Sequence, residues 1–147
     1  ALDANNRTLV HQGLARIRSG KTRPGITALI EVANRNAARL SASDFGFSLA
    51  PRLNAAGRLD DMSLGIACLL STDINQARSI ASELDSLNFA RREIEQGMQA
   101  EAQAVLDRLA FSDDNVPDAI CLFQDDWHQG VIGTDQPLYL LVAKMVK

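Results

Sequence analysis

The sequence has few aromatic residues and few cysteines, and both shortages limit what the protein can be. Aromatic side chains make up 5% of the 147 residues, so a hydrophobic core must be built mainly from Leu, Ile, Val and Ala. The two cysteines, Cys68 and Cys121, lie far apart in apolar stretches, and no Cys-x-x-Cys pair occurs. This spacing excludes a cysteine-based zinc motif and a disulfide framework, and it predicts two buried free thiols.

Long hydrophobic runs are also missing. No apolar segment approaches the roughly 20 residues that a membrane-spanning helix needs. The chain opens without the charged and apolar regions of a secretory signal peptide. Together these features predict a cytoplasmic protein.

Acidic residues are scarce in the first part of the chain, and basic residues are scarce in the rest. Residues 1–58 hold nine Lys and Arg against three Asp and Glu, a net charge of +6. Residues 59–147 hold six bases and fifteen acids, a net charge of −9. An anionic partner is therefore expected to meet the first half, although a solvated helical surface would show the same asymmetry.

Apolar periodicity predicts a mostly α-helical chain. Gly20 is placed to end a first helix and Pro24 to start a second. Pro51 should kink or restart a third helix that runs over residues 44–56. A short apolar helix is expected over residues 63–70.

The longest predicted helix covers residues 74–110. Asp73 and Gln76 have capping-box spacing at its start, and no proline interrupts the apolar stripe that follows. At 1.5 Å per residue this helix would be about 55 Å long, a length typical of a connection between two domains. The polar stretch 111–118 then predicts a domain boundary, and residues 119–123 have the length and composition of a strand.

The stretch "RLNAAGR", Arg52 to Arg58, combines two guanidinium groups and an amide with small residues. Arginine offers a planar fork of donors that suits phosphate, and Ala-Ala-Gly lets a ligand approach the backbone. The stretch therefore fits a phosphate cradle, but not a Walker loop, because the Gly-x-x-x-x-Gly-Lys-Ser/Thr pattern is absent. A helix end with two surface arginines remains the alternative.

Asp125, Asp126 and His128 are the residues that most invite a metal-site interpretation. No second histidine or cysteine lies nearby, so three such side chains are not expected to complete a metal site. Adjacent acids usually face water, which is the simpler interpretation.

Four segments together resemble the RecJ family of single-strand-specific 5′→3′ DNA exonucleases, within the DHH phosphoesterase superfamily. They are "LDANNR" near the start, "PRLNAAGRLDDMSLGIACLL", "LNFARREIEQGMQAEA" and "WHQGVIG". The resemblance runs from Leu2 to about Gly133, and the sequence after Gly133 departs from the family pattern. It implies an internal piece whose two ends a truncated or frame-shifted reading frame would explain.

This resemblance implies three parts: the C-terminal helical part of a DHH α/β domain (1–72), a long connector helix (73–111) and the truncated, β-containing start of a DHHA1 domain (112–147). It implies that the nucleic-acid phosphate is bound by the motif of Arg52, Asn54, Gly57 and Arg58. Trp127 and His128 would lie on the cleft side of the second domain, with the Trp127 ring either stacked on a base or packed beneath its loop.

The family's Mn²⁺ or Mg²⁺ ions are held by Asp and His residues upstream of "LDANNR", including an Asp-His-His sequence that this chain lacks. The resemblance thus implies metal-dependent hydrolysis of single-stranded DNA in the parent, in DNA repair and recombination, with no catalytic or metal-binding residue in this chain. Two alternatives stay open: a non-catalytic helical module that binds nucleic acid or serves as a scaffold, and a phosphoesterase for small oligonucleotides or pyrophosphate. Protein partners are unknown at this point.

Overall fold

A computed structural model describes residues 3–108, 122 and 124–131 of the chain. These residues are mostly helical and contain no strand, which confirms the predicted helical character. The elements are α1 (Ala4–Arg18), α2 (Pro24–Val32), a 3₁₀ turn (Ala37–Arg39), α3 (Ala42–Asp44), a π-turn (Phe45–Leu49), α4 (Ala50–Leu59), α5 (Ser63–Leu70) and α6 (Ile74–Arg108). The predicted strand over residues 119–123 lies, apart from Leu122, outside the described residues.

The chain divides into two compact units, Ala1–Phe89 and Ala90–Lys147. The division falls inside α6, so the first half of this helix belongs to one unit and its second half to the other. Across the described residues, no helix is both long enough and apolar enough to span a membrane.

The first two helices begin and end at the residues that the sequence marks. The side chain of Asp3 caps α1 by accepting a 2.8 Å hydrogen bond from the backbone N–H of Asn6. After α1, Gly20 adopts φ +75°, a left-handed conformation that glycine enters at little cost. Pro24 occupies the first turn of α2, where its missing N–H leaves no hydrogen bond unmade.

The predicted disturbance at Pro51 takes the form of a π-turn followed by a new helix. Proline has no N–H to donate, and its ring crowds the carbonyl four residues earlier, so a regular α-helix cannot pass through this position undisturbed. The backbone N–H of Ala50 instead reaches back five residues to the carbonyl of Phe45, and α4 starts at Ala50. The wider turn sets the direction in which α4 leaves the preceding segment.

Helix α6 confirms the predicted long helix, since 35 residues from Ile74 to Arg108 are helical and Gly97 does not interrupt them. Its length is about 52 Å at 1.5 Å per residue. Only half of the predicted capping box forms at its start: Asp73 accepts a 2.7 Å bond from the N–H of Gln76. The side chain of Gln76 lies 3.4 Å from the hydroxyl of Ser71 instead of returning to Asp73.

The core of the first unit relies on small and aliphatic side chains, as the shortage of aromatic residues requires. Its buried members are Ala28, Leu29, Ile30, Leu40, Leu49, Ala56, Cys68, Ala77, Ala81 and Leu84. Small residues let helices approach closely: a methyl group built on Gly25 of α2 would lie 1.9 Å from the carbonyl oxygen of Cys68 on α5. Cys68 is a buried free thiol, as predicted, and burial raises its pKa. Cys121 lies outside the described residues.

Candidate nucleic-acid interface

Helix α4 carries the "RLNAAGR" stretch and has two distinct faces. At about 100° per residue, Asn54 and Arg58 point roughly 200° and 240° away from Arg52 around the helix axis. Ala55 and Ala56, on the side of Arg52, are fully buried in the first unit, whereas Asn54 and Gly57 are exposed and Arg58 is partly exposed. The two arginines of the motif therefore face in different directions.

Arg52 points into the first unit, where its side chain is only 13% exposed. Its Nη1 donates to the carbonyl oxygen of Ser48 in the π-turn, and its Nη2 donates at 3.3 Å to the carbonyl oxygen of Val32 at the end of α2. Its Nε lies 2.7 Å from Oδ1 of Asp85 on α6. One guanidinium thus connects three other elements to α4.

The opposite face of α4 presents Asn54, Gly57 and Arg58. Asn54 and Arg58 are one helical turn apart, so their side chains lie on one side of the helix. A methyl group at Gly57 would come within 2.8 Å of the terminal carbon of Met62, so glycine leaves more room around this face. An amide and a guanidinium beside a residue without a side chain are suitable donors for a phosphate.

The loop after α4 is held by its own hydrogen bonds. Oδ1 of Asp61 accepts from the backbone N–H and from the hydroxyl of Ser63, both at 2.9 Å, at the start of α5. These two bonds lower the pKa of Asp61. The carboxylate of Asp61 therefore closes a local turn over Ser63 in the connection between α4 and α5.

The π-turn that precedes α4 is also fixed by polar contacts. Nε of Arg35 donates a 3.0 Å hydrogen bond to the buried hydroxyl of Ser48 and lies 3.6 Å from Oδ1 of Asp44. Ser41 and Asp44 form a complete capping box at the start of α3. The hydrogen bonds from Ser41 lower the pKa of Asp44. These contacts hold the segment that leads into α4.

In the second unit, Trp127 is buried and His128 is exposed. The indole Nε1–H of Trp127 donates a 2.8 Å hydrogen bond to Oε2 of Glu101 on α6. Nδ1 of His128 accepts from the backbone N–H of Gly130 at 3.1 Å, which leaves its Nε2 directed away from this loop contact. Of the two residues expected near the cleft, His128 is the accessible one.

The described residues do not fit a bound divalent metal. Within residues 3–108 and 124–131, no three His, Cys, Asp or Glu side chains are grouped so that they could hold a metal ion. Asp125, Asp126 and His128 belong to these ranges and do not form such a group.

Sequence reasoning alone missed Asp85 and Asn88. Asp85 contacts Arg52, and Asn88, one turn later on α6, is 2% exposed although its side-chain oxygen accepts no hydrogen bond. Both lie in a helix with a dense polar side, so their residue types gave no sign that Asp85 pairs with Arg52 or that Asn88 is buried. A helical-wheel comparison with the apolar residues Leu84 and Leu87 would have drawn attention to Asn88.

Comparisons with known proteins identify sequences similar to this chain. It is 60% identical over 132 residues to the "Single-stranded-DNA-specific exonuclease RecJ" of Escherichia coli K12 and 61% identical over 132 residues to that of Dickeya dadantii 3937. Each match covers 90% of this chain and 23% of the relative. The chain thus spans about a quarter of the length of these relatives. No protein-family model matches it.

Solved structures of RecJ proteins share the fold. A crystal structure of exonuclease RecJ bound to manganese has a TM-score of 0.72 at 30% identity, over 96% of this chain and 33% of that one. RecJ from Thermus thermophilus in complex with Mn²⁺ has a TM-score of 0.70 at 31% identity, over 96% of this chain and 19% of that one. The sequence matches thus cover 90% of this chain and the structural matches cover 96%.

Proposed function

We propose that this RecJ-type chain is the phosphate-contacting part of a single-strand-specific 5′→3′ DNA exonuclease that acts in DNA repair and recombination. The observation that supports this most directly is the two-faced helix α4. Arg52 anchors the helix from its buried side, and the opposite face offers Asn54, Gly57 and Arg58 to a DNA phosphate. The Escherichia coli relative, which is 60% identical, is named a single-stranded-DNA-specific exonuclease.

The charge distribution supports the same proposal. The net charge of +6 over residues 1–58, which include Asn54 and Arg58, would attract a polyanion to this part of the first unit. The whole unit, residues 1–89, keeps a net charge of +2 because residues 59–89 add five acids and one base. Several cations of this half are exposed to solvent: Arg7, Arg16, Lys21, Arg23 and Arg39. These side chains would add sequence-independent attraction, while Asn54 and Arg58 would make the contact nearest to the reacting phosphodiester.

The division of the chain forms part of the proposal. Residues 1–72 would be the helical end of a DHH domain, residues 73–111 the connector, and residues 112–147 the start of a DHHA1 domain. In the second domain, the exposed His128 would be available to DNA, while Trp127 supports its loop. We place the enzyme in the cytoplasm, together with its DNA substrate.

Hydrolysis is proposed for the parent enzyme and not for this chain by itself. Two Mn²⁺ or Mg²⁺ ions, when bound, would activate water and stabilise the leaving oxygen. The described residues include no ligand group for them. The role of this chain is to orient the DNA phosphate and to neutralise part of its charge.

The proposal is tested by titrating the 147-residue chain with a fluorescent oligothymidylate at several salt concentrations. We expect weak binding, with a dissociation constant of roughly 10⁻⁴ to 10⁻⁶ M that rises steeply with salt. With Mn²⁺ or Mg²⁺ added, the chain should release no nucleotides. Absence of binding at low salt would contradict the DNA-contacting role and favour the scaffold alternative. Metal-dependent release that Asp126→Ala or His128→Ala abolishes would contradict the absence of catalysis.

A further inference from the structure

We infer that Asp85 on α6 is a positioning residue that fixes the phosphate-contacting face of α4 through Arg52. The inference rests on the proposed function of Asn54 and Arg58. Asp85 belongs to the first unit, as do Arg52 and all of α4, so the contact lies within one compact body. None of the sequence motifs that suggested the site includes Asp85.

Arg52 is the only described side chain seen to join α2, the π-turn and α6 to α4. The carbonyl of Val32 is the last of α2, and a helix leaves its final carbonyls without internal partners. Ser48 lies in the wide turn that Pro51 imposes on the backbone. Arg52 therefore ties α4 to the end of α2 and to the π-turn that precedes α4.

The contact between Arg52 and Asp85 is an ion pair more than a directed hydrogen bond. Nε lies 2.7 Å from Oδ1, yet the alignment of the N–H does not meet hydrogen-bond geometry. The side chain of Arg52 is 13% exposed and that of Asp85 is 43% exposed, so the carboxylate neutralises a largely buried cation from the solvent side. For the interaction with Arg52, the negative charge of Asp85 should therefore matter more than its capacity to accept a hydrogen bond.

Without that charge, the buried guanidinium would have only two backbone carbonyls to balance it. A buried charge that loses its partner is destabilised, and Arg52 would be drawn toward solvent. Its bonds to Val32 and Ser48 would then weaken together. Because Asn54 lies two residues along the same helix, a shift of α4 would displace the outward face from its phosphate.

Neutralising Asp85 changes DNA affinity in opposite directions under the two explanations, positioning of α4 and repulsion of the DNA. Removing a negative charge from a DNA-binding protein should strengthen DNA binding, because repulsion between the carboxylate and the phosphates disappears. If Asp85 positions α4, its neutralisation should weaken binding instead. Glu83 provides a matched control, since it is an exposed carboxylate two residues earlier on the same helix.

The experiment measures oligothymidylate affinity at low salt for the complete 147-residue chain and for Asp85→Asn, Asp85→Glu and Glu83→Gln, with Arg58→Ala as a further arm. We expect Asp85→Asn to weaken binding by about fivefold, the change that a coupling of about 1 kcal/mol produces. Asp85→Glu should restore most of the affinity, and Glu83→Gln should leave it equal or slightly higher. Circular dichroism should show the same helix content for all variants.

The outcomes distinguish failure of the positioning role from failure of the proposed function. Suppose that wild type binds oligothymidylate and Arg58→Ala binds it more weakly. If Asp85→Asn then binds as well as or better than Glu83→Gln, the positioning role of Asp85 is wrong and the proposed function stands. If wild type does not bind, both are wrong. If Asp85→Asn loses helix content, Asp85→Glu decides: rescued folding without rescued affinity would contradict the inference, and rescue of both would support it.

Discussion

The indole Nε1 of Trp127 lies 2.8 Å from Oε2 of Glu101, and this hydrogen bond attaches the 124–131 loop to the long helix within the second unit. Trp127 is 8% exposed and so has little surface to offer a base. A buried indole N–H requires an acceptor, and Glu101 supplies it. The contact favours a supporting role for Trp127 beside the exposed His128.

The first prediction uses the single tryptophan of the chain as a reporter. Glu101→Ala removes the acceptor of the Trp127 indole, so we expect a red-shifted emission and stronger quenching by acrylamide. Glu93→Ala, an exposed carboxylate on the same helix, should change neither property. Saturating oligothymidylate should leave the wild-type emission unchanged, and strong quenching by DNA would indicate base stacking on Trp127 instead.

Several helix boundaries could be predicted from the sequence because local residues determine them, although α4 runs to Leu59, past the predicted end at residue 56. Gly20 and Pro24 define the gap between α1 and α2, Pro51 produces the π-turn, and the uninterrupted apolar stripe extends α6 to Arg108. In each case the cause lies within a few residues of its effect. The same locality explains why Asn54 and Arg58 could be assigned to one helical face.

Contacts between distant residues could not be predicted in this way. Arg78 and Glu31 form a bidentate ion pair although they are 47 positions apart, and Arg52 contacts Asp85 across a comparable span. Which arginine faces inward depends on how the helices pack. The sequence therefore indicated a two-arginine motif, but only the fold distinguishes the anchoring Arg52 from the outward-facing Arg58.

The second prediction concerns Gly25, where α2 and α5 meet. A methyl group at this position would lie 1.9 Å from the carbonyl oxygen of Cys68, and a backbone atom cannot move aside as a flexible side chain could. We expect Gly25→Ala to lower the free energy of unfolding by about 1–3 kcal/mol, the usual cost of overpacking a core. Thermal unfolding followed by circular dichroism measures this loss.

Gly13 provides the control for Gly25. It lies inside α1, and an added methyl group would meet nothing within 4 Å. Gly13→Ala should therefore stabilise the helix by about 0.5–1 kcal/mol, since alanine loses less backbone entropy than glycine. Equal melting temperatures for the two variants would contradict the close packing of α2 on α5.

The third prediction is a pH dependence at Glu31. Two hydrogen bonds from Arg78, at 2.8 and 3.0 Å, lower the pKa of Glu31 below its ordinary value of 4.5. The resulting stabilisation is fully present above the unfolded-state pKa and is lost as pH falls through the folded-state pKa. Glu31→Gln should thus melt at a lower temperature than wild type at pH 7, and this difference should disappear as the pH falls through the lowered folded-state pKa of Glu31.

Melting curves of wild type, Glu31→Gln and Glu83→Gln between pH 7 and pH 2 test the Glu31 prediction. Glu83 is exposed on α6, and its substitution should shift the melting temperature little at any pH. A Glu31→Gln difference that stays constant down to pH 2 would show that the lost stability comes from packing and not from the ionised carboxylate.

The last prediction concerns Arg58 in a full-length protein that carries this segment. If Arg58 contacts a DNA phosphate, Arg58→Ala should lower the nuclease rate by at least about tenfold and reduce the salt slope of single-strand binding by about 0.7. Thermal stability should change by less than about 0.5 kcal/mol, as expected for a partly exposed side chain outside the core. Arg58→Lys should restore only part of the rate, because an ammonium group cannot replace a bidentate guanidinium.

Arg7→Ala is the control for Arg58→Ala, because Arg7 is an exposed cation of the same half, on α1. It should reduce affinity through general electrostatics alone and leave the rate at saturating DNA unchanged. If Arg58 instead serves a surface ion pair, its removal would cost at most about 1 kcal/mol of stability, with rate and salt slope both unaffected. Measuring the nuclease rate, the salt slope of binding and the melting temperature of these variants therefore separates a phosphate contact from a surface arginine. If Arg58→Ala changes neither the nuclease rate nor the salt slope, Arg58 does not belong to the proposed interface.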